Sequence, residues 1–243
     1  MLISKREIRI KHIPAIIWGI PSSKLYLYIH GQGGNKNEAS QVAEIACTHG
    51  YQILSIDLPE HGVRKNEVNC FDPWHIIPEL KAVMKFASGH WEQISLFANS
   101  IGAWFSMLSF ESECLKNCMF VSPVLDMKEL ILKMMNWANV TEAMLERELI
   151  IPTSFGQTLS LEYWQYALEH PIEIWKAPTN ILYGENDNLI DLKTVERFAY
   201  KNGCNLSVMK NGEHWFHTEG QLDFMCNWFK ENLTDKTLDD INR

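Results

Sequence analysis

Short β-rich runs alternate with stretches of helical spacing along most of this chain, and that alternation limits its possible folds more than any other feature. "KLYLYIHG" (24–31), "YQILSIDLP" (51–59), "QISLFA" (93–98), "NCMFVS" (117–122), "TNILYG" (179–184) and "NLSVMK" (205–210) read as strands. Between them, "NEASQVAEIACTHG" (37–50) carries Val42, Ile45 and Ala46 on one helical face and stops at Gly50. "DPWHIIPELKAVMKFAS" (72–88) opens with Asp72 as N-cap and Pro73 at the first helical position. "IGAWFSMLSF" (101–110), "DLKTVERFAYKNG" (191–203) and "TEGQLDFMCNWFKENL" (218–233) complete the regular set. Most of the strand runs lack strict in/out alternation, so both faces of the sheet should be covered. The expected class is α/β, with a mostly parallel central sheet and helices on both faces. "ISKREIRI" and "PAIIWGI", in the first twenty residues, predict a leading antiparallel hairpin.

One stretch breaks the rhythm. From Ser122 to Thr179 the chain is far too long for a single crossover. Met127, Leu130, Ile131 and Met134, then Met144, Leu145 and Leu149, mark helical faces inside it; "IIPTSFGQT" (150–158) reads as a turn or small hairpin and "SLEYWQYALEH" (160–170) as another helix. Insertions at strand ends are where lids sit. The expected organisation is therefore a core made of 1–123 and 176–233, a helical lid or cap at 124–175, and a polar C-terminal tail at 234–243.

Composition closes off several function classes. With 243 residues and 46% hydrophobic content the chain can bury one sizeable core, consistent with a single domain. A net charge of -8 without a Lys/Arg cluster gives no footprint for nucleic acid. No window reaches the ~18 to 20 apolar residues of a membrane span, so no membrane span is expected. The apolar run Ile13 to Ile20 contains Pro14 and Gly19 and lacks a cleavage site, so it does not read as a signal peptide. Six scattered cysteines, with no C-x-x-C and no paired Cys/His set, suit reduced thiols rather than a disulfide frame or zinc site. The expected compartment is the cytoplasm.

The chemistry concentrates in short segments at the ends of the strand runs. "LFANSIGAWF" (96–105) contains Ala98-Asn99-Ser100-Ile101-Gly102, close to the G-x-S-x-G nucleophile elbow with alanine at the first small position. By itself the match is equally compatible with a serine that merely starts a helix. "YIHGQGGNK" (28–36) ends a strand in His-Gly and adds Gln32 and two more glycines, which let the backbone come close to a bound group. A phosphate loop would need a G-K-[ST] ending or G-x-G-x-x-G spacing, and neither is present. "SIDLPEHG" (55–62) follows the next strand, with Asp57 expected to be a buried group shaping the site. "ILYGENDNLI" (181–190) offers Asp187 as an acid, with Glu185 and Asp126 as competitors and Asp191 better explained as an N-cap. "NGEHWFH" (211–217) offers His214 as a base, with His217 as competitor and His30 read as structural.

In this order the segments resemble the α/β-hydrolase superfamily over roughly residues 20–233, within it the small bacterial hydrolases of the serine-aminopeptidase-like or monoacylglycerol-lipase-like kind. The 55–62 loop is similar to that family's D-x-P-G-H-G loop, with Glu60 in the usual glycine position. The resemblance implies Ser100, Asp187 and His214 as nucleophile, acid and base, and the main-chain N–H groups of Gln32 and Ile101 as an oxyanion hole. Trp215, Met127, Met134 and Trp137 are the candidates for substrate contact, although methionine and aromatic stripes at helical spacing are more often core. The implied activity is hydrolysis of a small or medium carboxylic ester through an acyl-enzyme, with no metal or organic cofactor. An amidase, peptidase or thioesterase would use the same residues, and a hydrolase-fold receptor with little turnover is the alternative from another class. The partner is in either case a small-molecule ester or amide, or a ligand of that size.

Overall fold

The computed structural model describes residues 3–233; the polar tail expected at 234–243 lies outside the described residues. The chain opens with β1 (Lys5–Ile10) and β2 (Ile13–Trp18), an antiparallel hairpin as the sequence predicts. There follow β3 (Lys24–Ile29), α1 (Ser40–Thr48), β4 (Tyr51–Ile56), α2 (Pro73–Ser88), β5 (Gln93–Asn99), α3 (Ile101–Phe110) and β6 (Cys118–Val121). The long segment then holds α4 (Met127–Trp137), α5 (Glu142–Glu148), a small hairpin of β7 (Ile150–Pro152) and β8 (Thr158–Ser160), and α6 (Leu161–Glu169). The chain returns to the sheet with β9 (Thr179–Gly184), α7 (Leu192–Asn202), β10 (Asn205–Met209) and α8 (Glu219–Asn232).

Local chemistry accounts for several of these boundaries. Asp72 accepts a hydrogen bond from the His75 N–H at the start of α2, with Pro73 in the first turn, and Thr218 caps α8 through the Gln221 N–H. Two expectations need correction. Asp191 does stand at the head of α7, but its carboxylate makes no capping bond and instead accepts from Lys133 Nζ at 2.5 Å, because an ammonium is a stronger partner than a backbone amide. Leu149 does not continue an apolar helical face: α5 stops at Glu148, and Leu149 turns the chain with a φ of 65° and is 55% exposed.

The main sheet, among the described residues, runs β1-β2-β4-β3-β5-β6-β9-β10, with β1 and β2 antiparallel to their neighbours and the remaining pairs parallel. β3 shows why the runs lacked alternation. Leu25, Leu27 and Ile29 face the layer containing α2 and α3, while Tyr26 and Tyr28 face the layer containing α1 and α8, and all five are buried. Each such side chain contributes roughly 1.5–3 kcal/mol by leaving water. Among the described residues no helix is long and apolar enough to cross a membrane.

β4 and β5 flank β3 on opposite sides. The strand order therefore reverses at β3, and the carboxyl edge of the sheet at such a reversal is the usual place for a ligand in an open parallel sheet.

Candidate active site

Ser100 occupies the sharp turn between β5 and α3. Its φ of 48° and ψ of -122° lie in a region that side-chain-bearing residues seldom adopt, at a cost of order 1–3 kcal/mol. Neighbouring strands over-determine that turn: Ser100 N–H donates to Val121 O at 2.9 Å, and Val124 N–H donates to Ser100 O at 3.1 Å. Gly102 lets the first turn of α3 press onto the end of β3, since a Cβ there would fall 2.3 Å from the His30 carbonyl oxygen. Ala98, the departure from the elbow pattern, lies fully buried in β5 between Ile29 and Phe120, so its methyl group is accommodated in the sheet before the turn begins.

The loops after β9 and β10 bring the other two residues to Ser100. Ser100 Oγ is 2.8 Å from His214 Nε2, and His214 Nδ1 is 2.7 Å from Asp187 Oδ2. Asp187 is held from its other oxygen, where Oδ1 accepts from the N–H groups of Leu189 at 2.8 Å and Ile190 at 2.9 Å. The Asp187 side chain is fully buried and that of His214 is 12% exposed. A carboxylate can only accept here, so Nδ1 carries the proton and Nε2 keeps a free lone pair toward the serine hydroxyl. The competitors are engaged elsewhere. Asp126 caps α4 through Glu129 N–H, Glu185 accepts from Asn211 N–H, and His217 donates Nδ1–H to Trp215 O just before the α8 cap.

Gln32 and Ile101 belong to the two segments that meet at Ser100, the loop after β3 and the start of α3. Ile101 is the first residue of α3, where helix N–H groups have no intrahelical acceptor. The loop carrying Gln32 touches the serine directly: a Cβ on Gly31 would lie 3.2 Å from Ser100 Cβ. Neither the Gln32 nor the Ile101 N–H meets a protein acceptor among the described residues.

Behind this loop, Asp57 is fully buried and accepts from Lys36 N–H at 2.8 Å, Lys36 Nζ at 2.6 Å and Val63 N–H at 3.1 Å. His30 is also fully buried, and burial lowers its imidazole pKa from 6.5 to about 4. Lys36 was not singled out from sequence. A lysine twenty-odd positions before an aspartate is indistinguishable there from any surface lysine.

The candidates for substrate contact are dispersed. Met127 is 5% exposed and belongs to the core, where it also lines a cavity of about 260 Å³ with Trp104, Asp126 and Ile172; neither Ser100 nor His214 borders that cavity. Met134 is half-buried against the core, and Trp137 at the end of α4 is 45% exposed, edge-on to Phe155. Trp215 is 72% exposed and stacks on His217. Among the described residues no three His, Cys, Asp or Glu side chains are grouped to hold a metal ion.

No protein-family model and no curated protein sequence matches this chain. Solved structures do match it over nearly its full length. A protein of Agrobacterium vitis S4, described only provisionally as a hydrolase, superposes with a TM-score of 0.76 at 13% identity, over 96% of this chain and 100% of its own. Mouse alpha/beta hydrolase domain-containing protein 10 gives 0.75 at 13% identity, over 96% and 98%. Est1E from Butyrivibrio proteoclasticus gives 0.72 at 19% identity, over 98% and 99%.

Proposed function

We propose that this chain, which has the α/β-hydrolase fold, is a serine hydrolase that cleaves a small or medium carboxylic ester through an acyl-enzyme. A fold alone hosts many activities. The observation that carries the proposal is the continuous relay from Ser100 Oγ to His214 Nε2 at 2.8 Å and from His214 Nδ1 to Asp187 Oδ2 at 2.7 Å, built on a strained turn.

In this reading His214 Nε2 takes the Ser100 proton as Oγ attacks the ester carbonyl carbon. The carbonyl π electrons move to oxygen, and the N–H groups of Ile101 and Gln32 stabilise that oxyanion; removing one such donor typically costs about 3 kcal/mol. The tetrahedral species collapses, the imidazolium returns its proton to the departing alkoxide, and an acyl-serine remains. Water then repeats the sequence and releases the acid. Asp187 holds the imidazole tautomer and stabilises the imidazolium without taking the proton.

The segment 124–175 serves as a lid or cap in this reading, with Met134 and Trp137 of α4 and Trp215 beside His214 contacting an apolar acyl group; Met127, buried in the core, is not among these contacts. Six free cysteines suit a reducing compartment, and the proposal places the protein in the cytoplasm. The test is a panel of p-nitrophenyl esters, acyl thioesters and aminoacyl anilides on wild type and Ser100→Ala, with fluorophosphonate labelling of Ser100. Turnover of esters alone supports the stated substrate class. Turnover of anilides or thioesters only would redirect it, and labelling without turnover of any of them would favour a receptor.

A further inference from the structure

We propose that His61 is a positioning residue whose ring holds the 31–34 loop, and with it the Gln32 N–H, in place against Ser100. The role rests on the reading that this N–H faces the oxyanion.

The loop has little support of its own. It contains three glycines in four positions, and Gln32 and Gly33 are both exposed. Gly33 adopts a φ of 75°, and a Cβ built on it would meet nothing within 4 Å, so no packing fixes it. Ordering such a loop costs more backbone entropy than ordering a glycine-free loop of its length. Two bonds beyond the His30 Nδ1–H donated to Gly31 O at 2.8 Å oppose that cost. Gly34 N–H closes a turn onto Gly31 O at 3.1 Å, and Gly33 N–H donates to His61 Nε2 at 2.9 Å. Because the Gly33 nitrogen shares its peptide plane with the Gln32 carbonyl, the second bond sets the ψ of Gln32 itself.

His61 is built to be that anchor. Its Nδ1–H donates to Pro59 O at 2.7 Å, which leaves Nε2 as the acceptor and fixes both tautomer and ring plane. The ring is 5% exposed, lying 4.5 Å from the Phe71 ring and 5.1 Å from the His30 ring. The loop that carries it is rigid. Asp57 ties it to Lys36 and Val63, and Arg64 forks onto Glu79 and Glu67. Gly62 sits so close to Asp57 that a Cβ there would fall 2.2 Å from Oδ1. Glu60, where the family pattern has glycine, takes a φ of 63° and offsets that strain by accepting from the N–H groups of Cys70 and Phe71. The two loops also clasp in the other direction, since Leu58 N–H donates to His30 Nε2 at 3.0 Å. His30 grips the base of the pair and His61 grips its tip, next to the candidate oxyanion donor.

The experiment compares wild type, His61→Phe and His61→Gln. Phenylalanine keeps the ring against Phe71 and His30 but offers no acceptor; glutamine offers an amide oxygen at nearly the position of Nε2. Matched folding is checked by circular dichroism. On a p-nitrophenyl ester, His61→Phe should lower kcat by about 10- to 100-fold, less than outright loss of an oxyanion donor, with KM within about twofold. Amide hydrogen exchange over 31–34 should accelerate at least about tenfold while exchange over 100–102 stays as in wild type. His61→Gln should recover most of both effects. Unchanged exchange at 31–34 in His61→Phe would overturn the proposal, as would faster exchange with unchanged kcat, or a glutamine variant no better than phenylalanine. Failure of the hydrolase reading shows separately and earlier, as wild-type protein that neither turns over an ester nor labels at Ser100, and it would remove this role as well.

Discussion

In the loop after β9, the buried Asp187 carboxylate accepts three hydrogen bonds, from His214, Leu189 and Ile190. At the end of α4, Trp137 is 45% exposed and rests edge-on against Phe155. The two sites represent two regions built on different terms. The strand-end loops fix polar atoms through several bonds each, so that moving one atom disturbs the others. The segment between β6 and β9 holds its apolar side chains by packing instead. It meets the core through the buried side chains of Met127, Ile131, Met135 and Trp164, with polar seams beside them, Lys133 to Asp191 and Leu189, and Thr194 to Glu129. Under the proposed function the difference becomes a division of labour: reaction rate set by the loops, choice of acyl group set by the segment.

The largest expected effects lie in the loops. Ser100→Ala and His214→Ala should each lower kcat by roughly 10⁴ to 10⁶, and the double variant should be scarcely worse than either single one, because both act in one step. Asp187→Asn should cost about 10⁴ in kcat with folding intact, through the wrong imidazole tautomer. Single-turnover kinetics on one ester for all four variants check this, and a Ser100→Ala protein with wild-type turnover would end the hydrolase reading.

Next comes the support beneath the loops. Lys36→Met leaves Asp57 buried without its cation, and breaking a buried pair typically costs about 3–5 kcal/mol. Urea unfolding should show that loss, and a shift below about 1 kcal/mol would mean that the Lys36 and Val63 amides hold the carboxylate unaided. His30 supplies a milder, pH-dependent effect. Its folded pKa of about 4 lies below the ordinary 6.5, so as pH falls the unfolded chain takes up the proton first. Stability contributed by the neutral ring is complete above about pH 6.5, is lost progressively toward pH 4 and does not change further below that, a span worth at most about 3 kcal/mol. Subtracting the urea-derived stability of His30→Gln from that of wild type at several pH values isolates this term. A difference that is flat between pH 7.5 and pH 4.5 would refute it.

The contrast between the regions also explains what could be read in the sequence. The alternation of runs marked the sheet, and the cap at Asp72 marked a helix start, because those signals are local. That Ser100, Asp187 and His214 would meet came from the resemblance of their segments to the α/β-hydrolase superfamily, a code carried by motifs at strand ends, which a parallel sheet collects on one edge. Contacts between elements carry no such code. Lys36 pairs with Asp57, and Lys133 reaches across from α4 to Asp191 and removes that carboxylate from its expected capping role. Nor could the pattern show that Glu60 would accept a left-handed backbone in exchange for two hydrogen bonds. Each of these depends on which surfaces come together, and local spacing is silent about that.

The smallest expected effects fall on α4 and give the sharpest test of the division. If Met134 and Trp137 touch only the acyl chain, truncating them removes contacts made equally in the ground and transition states, so KM should rise while kcat holds. A pocket contact of about one methylene group is worth roughly 1–3 kcal/mol when fully enclosed, and an exposed rim contact much less. Met134→Ala and Trp137→Ala should therefore lower kcat/KM by about 2- to 10-fold on p-nitrophenyl octanoate and hardly at all on the acetate, which is too short to reach them. Lys133→Met on the same helix is the internal control. It removes the tie between α4 and the loop that holds Asp187, and so should act on both esters alike, through kcat, by no more than about threefold because the pair it breaks is largely exposed. Should Met134→Ala and Trp137→Ala instead depress acetate and octanoate equally, these side chains act on the fold and not on the acyl group, and the segment would belong with the loops it was contrasted with.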